Sequence, residues 1–316
     1  MSNLIDFFDN LRYWGERQNP ILKALMYYRG ANLISQTLAN LILPGHFRRT
    51  ARREEYRLAP DGEKTAKIPR IIVSMTSFPA RIKTTWLAVE SILRQSVKPD
   101  KLLLCLTKEQ IPDVQSLPKE LLAQRERGLE IILCEETIRS HTKYWNAFRD
   151  YPEDIIVTVD DDVFYRSDLL ETLLDFHKKH PQAIIANWAK KVQKDSDGTS
   201  VYAHWPEAKE EDTDKEAEKY SIFGVGGVLY PPHCMAKDLL NPKLIKELSF
   251  TADDLWLSAQ AIRAGTKFVF TNYKQHHLPV QIRNNVTLIS GNYVLNQKCV
   301  EKINAFYMDK DSAPLC

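Results

Sequence analysis

The chain has 316 residues, 44% of them hydrophobic and 27% charged, an ordinary globular composition with length for one large domain or a domain plus an appendage. A formal net charge of +2 argues against nucleic acid or a strongly acidic molecule as partner. The five cysteines (Cys105, Cys134, Cys234, Cys299, Cys316) are scattered and odd in number, which argues against a disulfide framework or a zinc site and for a reducing compartment.

Residues 1–57 read as helical, because Leu4, Phe7, Phe8, Leu11 and Trp14, then Leu22, Leu25 and Met26, recur at three- and four-residue spacing. The first 60 residues carry nine Lys/Arg against five acids, so this end is basic and the remainder slightly acidic. The most apolar segment, Ala31 to Pro44, is short and broken by Asn32, Ser35, Gln36, Thr37 and Asn40, so no membrane span is expected and the protein reads as cytoplasmic. The stretch "RLAPDGEKTAKIPR" reads as a linker between a helical extension over 1–60 and a main domain over 68–316.

From Ile71 the pattern alternates. "RIIVSMTSF" predicts a strand, "TTWLAVESILRQS" a helix, "DKLLLCLT" a strand, "PKELLAQRERG" a helix stopped by Gly128, and "LEIILC" a strand. A helix over "HTKYWNAFRDYP" precedes the strand "DIIVTVDD", and a helix over 167–180, a strand over 183–188, the Gly-rich "SIFGVGGVLYPP", a helix over "DDLWLSAQAIRAG" and the strand "TKFVFTN" follow. Such alternation predicts an α/β fold with a mostly parallel central sheet flanked by helices. The charge-rich segment 207–219 has no apolar face and reads as a loop able to order over a ligand.

The strand "IIVTVDDDVFY" ends in Asp160, Asp161 and Asp162, where ligands bind in open α/β sheets. Like charges this close need compensation, which a hard divalent cation supplies; strand alternation puts Asp160 and Asp162 on one side and Asp161 on the other. Taken alone, the three acids are equally consistent with a strand end and helix cap.

"VSMTSFPARI", "SILRQSVKPDKLLLCLT", "HTKYWNA", "GVGGVLYPP" and "ADDLWL", in this order between about Arg70 and His277, together resemble the GT-A-fold (family 2-like) glycosyltransferases of bacterial capsule and surface-polysaccharide synthesis. The resemblance implies a Rossmann-like catalytic domain, a nucleoside diphosphate sugar donor, foremost a UDP-sugar, and a glycan or lipid-linked acceptor. It implies Mn²⁺ or Mg²⁺ held by Asp160 and Asp162, with His276 or His277 completing the coordination. Donor contacts fall to Thr76, Ser77, Arg81, Lys143, Asp160 and Asp161, and the sugar pocket to Gly226 and Gly227. Asp254 would be the general base of an inverting displacement, with Asp253 on the acceptor.

Each assignment has a plainer reading beside it. Thr76, Ser77 and Arg81 sit on a turn set by Pro79; Lys143 is otherwise a surface lysine; His141 could cap a helix; Gly226 and Gly227 fit a turn between strands; Asp253 and Asp254 fit a helix N-terminus; Trp256 reads as core. The sequon at Asn285 is a chance match in a cytoplasmic chain. The N-terminal helix with Phe7, Phe8, Leu11 and Trp14 fits a membrane surface, a packed subdomain or a dimer contact equally. Two other functions fit less well: a sugar nucleotidylyltransferase, because the loop after the first strand lacks glycine, and a non-catalytic sugar-binding protein, because both acidic groups are present.

Overall fold

In the computed structural model, residues 3–16, 27–59, 69–273, 278–280, 292–311 and 314–316 are described. Helices α1 (Leu4–Glu16) and α2 (Tyr27–Thr50) precede strand β1 (Ile71–Thr76). There follow α3 (Ile82–Leu93), β2 (Lys101–Thr107), α4 (Lys119–Arg125), β3 (Leu129–Cys134), α5 (Thr142–Asp150) and β4 (Ile155–Thr158). After the acids come β5 (Val163–Phe164), α6 (Leu169–Lys179), β6 (Ile184–Ala186), β7 (Ala189–Lys191), β8 (Glu216–Ala217), β9 (Tyr220–Ile222) and β10 (Val228–Tyr230). The chain ends in α7 (Pro242–Leu248), α8 (Asp253–Arg263), β11 (Phe268–Phe270), β12 (Leu278–Pro279) and α9 (Asn292–Asp311).

The central sheet has eight strands in the order β3-β2-β1-β4-β10-β6-β11-β8. The run from β3 to β4 is parallel, as is β6 with β11, which bears out the mixed α/β expectation. Two strands depart from it: β10 runs antiparallel between β4 and β6, and β8 lies antiparallel against β11 at the edge. Strand β8 lies within the charge-rich segment expected to be a loop. Its position explains the composition, since a charged edge strand discourages pairing with another sheet.

Alternation along β1 and β4 divides the core into two layers. Ile72 and Ile156 face α5 and α8, whereas Val73, Met75 and Val157 face α1, α2, α3 and α6. Trp256 is fully buried and donates its indole N–H to the Leu239 carbonyl at 3.0 Å, a core residue as expected.

The acids of α1 dock it on the main domain. Asp6 accepts from the Ser167 backbone N–H at 2.9 Å and from its hydroxyl, and Asp9 lies 3.5 Å from Arg166. The buried side of α2 sets Phe47 edge-on to Trp86 and Phe164, with ring centroids 6.4 and 6.2 Å apart. Behind it, Glu90 binds Arg94 at 2.7 Å and Arg127 at 2.6 Å, and Arg94 also donates to Thr50 and stacks over Tyr56. The helical extension is therefore packed on the domain. Leu22, Leu25, Met26 and most of the linker lie outside the described residues.

Candidate active site

The site forms where β1 and β4 end. Extended structure stops at Thr158 and the chain turns through the acids, so their directions follow the turn rather than the predicted alternation. Asp160 leans towards α5 and pairs with Lys143 Nζ at 2.8 Å. Asp161, 5% exposed, points the other way, accepting from Ser77 at 2.5 Å and from Arg81 at 3.0 Å. The same Arg81 nitrogen lies 2.8 Å from Asp162, so Asp161 and Asp162 share one cation while Asp160 has another.

Lys143 stands on the first turn of α5 and its side chain is 5% exposed. Its ammonium also lies 2.9 Å from Asp253, joining the strand-end acids to the start of α8. Burial alone would strip the proton from Lys143, but Asp160, Asp253 and Asp254 overcome it and hold the pKa well above the ordinary lysine value. Asp253 shows the reciprocal effect. Burial opposes its charge, yet Lys143 holds its pKa at about 2.

Asp254 differs from its neighbour. Burial, then the charge of Asp253, push its pKa up to about 8, with Lys143 and the N–H of Gly224, 3.0 Å away, offsetting only part of the rise. Two adjacent carboxyls are thus driven apart in pKa, the pattern that assigns different acid–base roles to a pair. Asp162 is raised to about 6 by burial and Asp160, against the pull of Arg81.

Turns hold this arrangement. Tyr165, fully buried, accepts the Asp160 N–H at 2.7 Å and donates to the Val225 carbonyl at 3.2 Å, tying the acid turn to the glycine turn. In that turn it is Gly224 that meets the site: a Cβ there would lie 2.6 Å from Lys143 Nζ and 3.1 Å from Asp254. Gly226 packs instead against Trp188, and Gly227, with φ +83°, against Leu169. The two glycines singled out in the sequence shape the turn, and the neighbour two residues before them faces the chemistry.

Beside these groups lies a cavity of about 630 Å³, within the range of small-molecule sites, and Asp162 is not among the residues that line it. Thr76, Ser77, Arg81, Lys143, Asp160, Asp161, Asp253 and Asp254 all contribute to its walls. Thr76 and Ser77 are tied inward, Thr76 to the Cys105 carbonyl at 2.7 Å and Ser77 to Asp161, so they order the loop. The far wall was not legible in the sequence. Tyr202 and Tyr293 approach with ring centroids 6.0 Å apart, and Lys190 sits over Tyr202 at 4.9 Å. Arg139 joins the rim on a backbone with φ +55°, its guanidinium over Phe250.

His141 does not cap α5. Fully buried, it bonds the Tyr144 hydroxyl at 2.8 Å and the Ser249 carbonyl at 2.7 Å, and burial lowers its pKa to about 4, so it is neutral. His276, His277 and Asn285 lie outside the described residues.

The donor set suits a hard divalent cation. Asp160 and Asp162 each commit one oxygen to an internal cation, Lys143 and Arg81 respectively. On formal charges, with Asp254 carrying its proton, four carboxylates (Asp160, Asp161, Asp162, Asp253) face two cations, Lys143 and Arg81, leaving a charge of about −2. No cluster of three or more ligating side chains is assembled among the described residues, so a cation there would take its remaining ligands from water or substrate phosphates.

No family model matches the chain, and no curated protein matches it in sequence. Among solved structures, it is similar to a mannosyltransferase, PcManGT, from Pyrobaculum calidifontis in complex with GDP-Man and Mn²⁺, at 15% identity and a TM-score of 0.45, covering 90% of this chain and 77% of that one. It is similar also to 4-diphosphocytidyl-2C-methyl-D-erythritol synthase from Anaerococcus prevotii, at 12% identity and a TM-score of 0.41, covering 72% and 99%. A third is residues 1–349 of S. aureus TarS, at 12% identity and a TM-score of 0.39, covering 65% and 58%. Overlaps this slight are distant likenesses.

Proposed function

We propose that the protein is a metal-dependent GT-A-type glycosyltransferase of the hexosyltransferase kind. It moves a sugar from a UDP-sugar to a hydroxyl of a glycan or lipid-linked acceptor in bacterial surface-polysaccharide synthesis, with inversion. One observation carries the reading: a single cavity at the carboxyl ends of parallel strands holds two acidic groups of opposite character, joined by Lys143. The strand-end group retains negative charge for a cation, and the α8 group contains a carboxyl whose pKa is tuned near neutrality. The nucleotide assignment rests on the resemblance carried by "TSFPAR" and the four segments after it.

In this reading Asp160 and Asp162 hold Mn²⁺ or Mg²⁺, which when bound offsets charge developing on the departing diphosphate. Arg81 and Lys143 face the same charge from the protein side, and Asp161 fixes Arg81 and the β1 loop. Asp254 in its ionised form accepts the acceptor hydroxyl's proton as that oxygen attacks the sugar carbon, and the carbon–oxygen bond to the diphosphate breaks on the opposite face. Asp253, held ionised by Lys143, orients the acceptor. Tyr293, exposed and backed by buried Tyr202, supplies apolar surface for a sugar ring.

The test is calorimetric titration of UDP with and without Mn²⁺, on the wild type and on Asp162→Ala. Binding that needs Mn²⁺ and disappears in the variant supports the donor site. Absence of binding by UDP, GDP, CMP and dTDP alike would remove the transferase reading.

A further inference from the structure

Helix α2 carries apolar residues on its outward side as well as on its buried one. Ser35, Ala39, Leu43, Phe47 and Thr50 face the domain, with the Ser35 hydroxyl bonded to the Phe8 carbonyl at 2.6 Å. On the opposite side, at helical spacing, Leu33 is 65% exposed, Ile34 57%, Leu38 38%, Leu41 72% and Ile42 42%. At about 1.5 Å per residue this row runs roughly 14 Å along the helix. Its continuation at the C-terminal end is Arg48 and Arg49, both exposed, with Arg52 and Arg53 just beyond. The helix contains no Asp or Glu over its 24 residues. Arg48 is paired with Glu120 at 3.1 Å and Arg53 with Glu55 at 3.4 Å, while Arg49 and Arg52 stay exposed, so the apolar row has a basic end, and a row of this kind marks an interaction surface rather than ordinary surface scatter.

The surface proposed from the sequence was the α1 face with Phe7, Phe8, Leu11 and Trp14; Phe8 is buried, and Asp6 and Asp9 are spent on docking. We infer that the outward face of α2 seats in the headgroup–acyl boundary of an anionic lipid bilayer, lying in the plane of the membrane. No described helix is long and apolar enough to cross one. The apolar row fits that boundary, and the arginines beyond it meet phosphate groups on the same plane. A second copy of the chain fits poorly. Antiparallel pairing centred on the row sets Arg48 and Arg49 against the positive N-terminal end of the partner's α2, and parallel pairing sets arginine on arginine; neither helix offers a carboxylate. This docking is independent of the transferase reading.

The test is co-sedimentation of the full chain with sucrose-loaded vesicles, either of phosphatidylcholine alone or with a third of the lipid replaced by phosphatidylglycerol. Wild type is expected to sediment with the anionic vesicles and to release as salt is raised. The double variant Leu38→Glu with Leu41→Glu should weaken binding by at least about tenfold, since it puts charge into the row. Arg48→Ala with Arg49→Ala should lower binding to anionic vesicles by roughly fivefold per charge. Lys178→Glu, on the exposed side of α6, should change little. Circular dichroism and the oligomeric state by analytical ultracentrifugation accompany each variant. Failure of the wild type to bind anionic vesicles overturns the inference. So does a wild-type dimer that the Leu38/Leu41 variant dissociates without any vesicle binding, which would make the row a self-interface.

Discussion

Replacing Asp254 with Asn should abolish turnover and stabilise the protein at the same time. The ordinary value for this carboxyl is 3.8, and in the folded protein it is about 8. Below the lower value the carboxyl is protonated whether folded or not, and its contribution to stability is fully present. As pH rises, the unfolded chain releases the proton first, so stability falls until the folded-state value is reached. At pH 7 roughly three pH units at 1.36 kcal/mol each amount to about 4 kcal/mol against the fold. Asn keeps a neutral carbonyl for the Gly224 N–H and has no proton to lose, so it should recover at most that amount, while transfer drops by about 10²–10⁴. Urea unfolding of both proteins across the acidic-to-neutral range reads the first effect: the gap should open with rising pH and be near zero at pH 4 or below. Turnover and UDP titration read the second, with binding retained. A variant as active as wild type, or a stability gap that does not change with pH, would refute the assignment of Asp254 as a buried, proton-holding base.

The same titration governs rate. If ionised Asp254 is the base, kcat/KM rises with pH and levels off above an apparent pKa near 8, measured over a pH series at low donor concentration; a profile flat through neutrality excludes it. Lys143→Met leaves Asp160 and Asp253 facing each other without their cation and should cost about 3–5 kcal/mol in urea unfolding, more than a surface ion pair could; a loss under about 1 kcal/mol would show the pair to be solvated. Gly224→Ala puts a methyl 2.6 Å from Lys143 Nζ and should cut turnover more than tenfold with the fold retained by circular dichroism; unchanged turnover would remove the glycine turn from the site.

How much of this was readable from the sequence divides along contact range. The parallel strands were legible because β1, β2 and β4 are short β-branched or leucine runs bounded by turn residues, and the strand-end position of the acids followed directly. Helix boundaries moved by a residue or two: the helix expected over 167–180 spans Leu169–Lys179. That Lys143 would stand beside both acidic groups depended on the resemblance, since nothing local in "HTKYWNA" shows that residue 143 meets residue 253. The roles of Tyr202 and Tyr293 were hidden for the same reason, being set by a turn and a helix 91 positions apart that meet only in the folded chain. The glycine turn misled because composition marks where a tight turn falls but not which of its members points inwards; only the 3₁₀ geometry of Gly224–Gly226 decides that. In α2 the apolar pattern was visible, but both sides are apolar, Ala39, Leu43 and Phe47 buried and Leu33, Leu38 and Leu41 exposed, so periodicity alone did not say which side meets the domain.

The acid cluster at the end of β4 raised the question of what offsets its repulsion, and the folded chain answers in two parts. Arg81 pairs with Asp161 and Asp162, and Lys143 pairs with Asp160, which on formal charges still leaves the cluster negative. The arrangement also explains the split between the α8 acids. Lys143 lies within 2.9 Å of Asp253 and so spends its charge holding that carboxyl ionised, which raises the cost of ionising Asp254 beside it. One buried lysine therefore bridges both halves of the site, pairing with Asp160 at the strand end while it keeps Asp253 charged and leaves Asp254 able to exchange a proton near neutral pH.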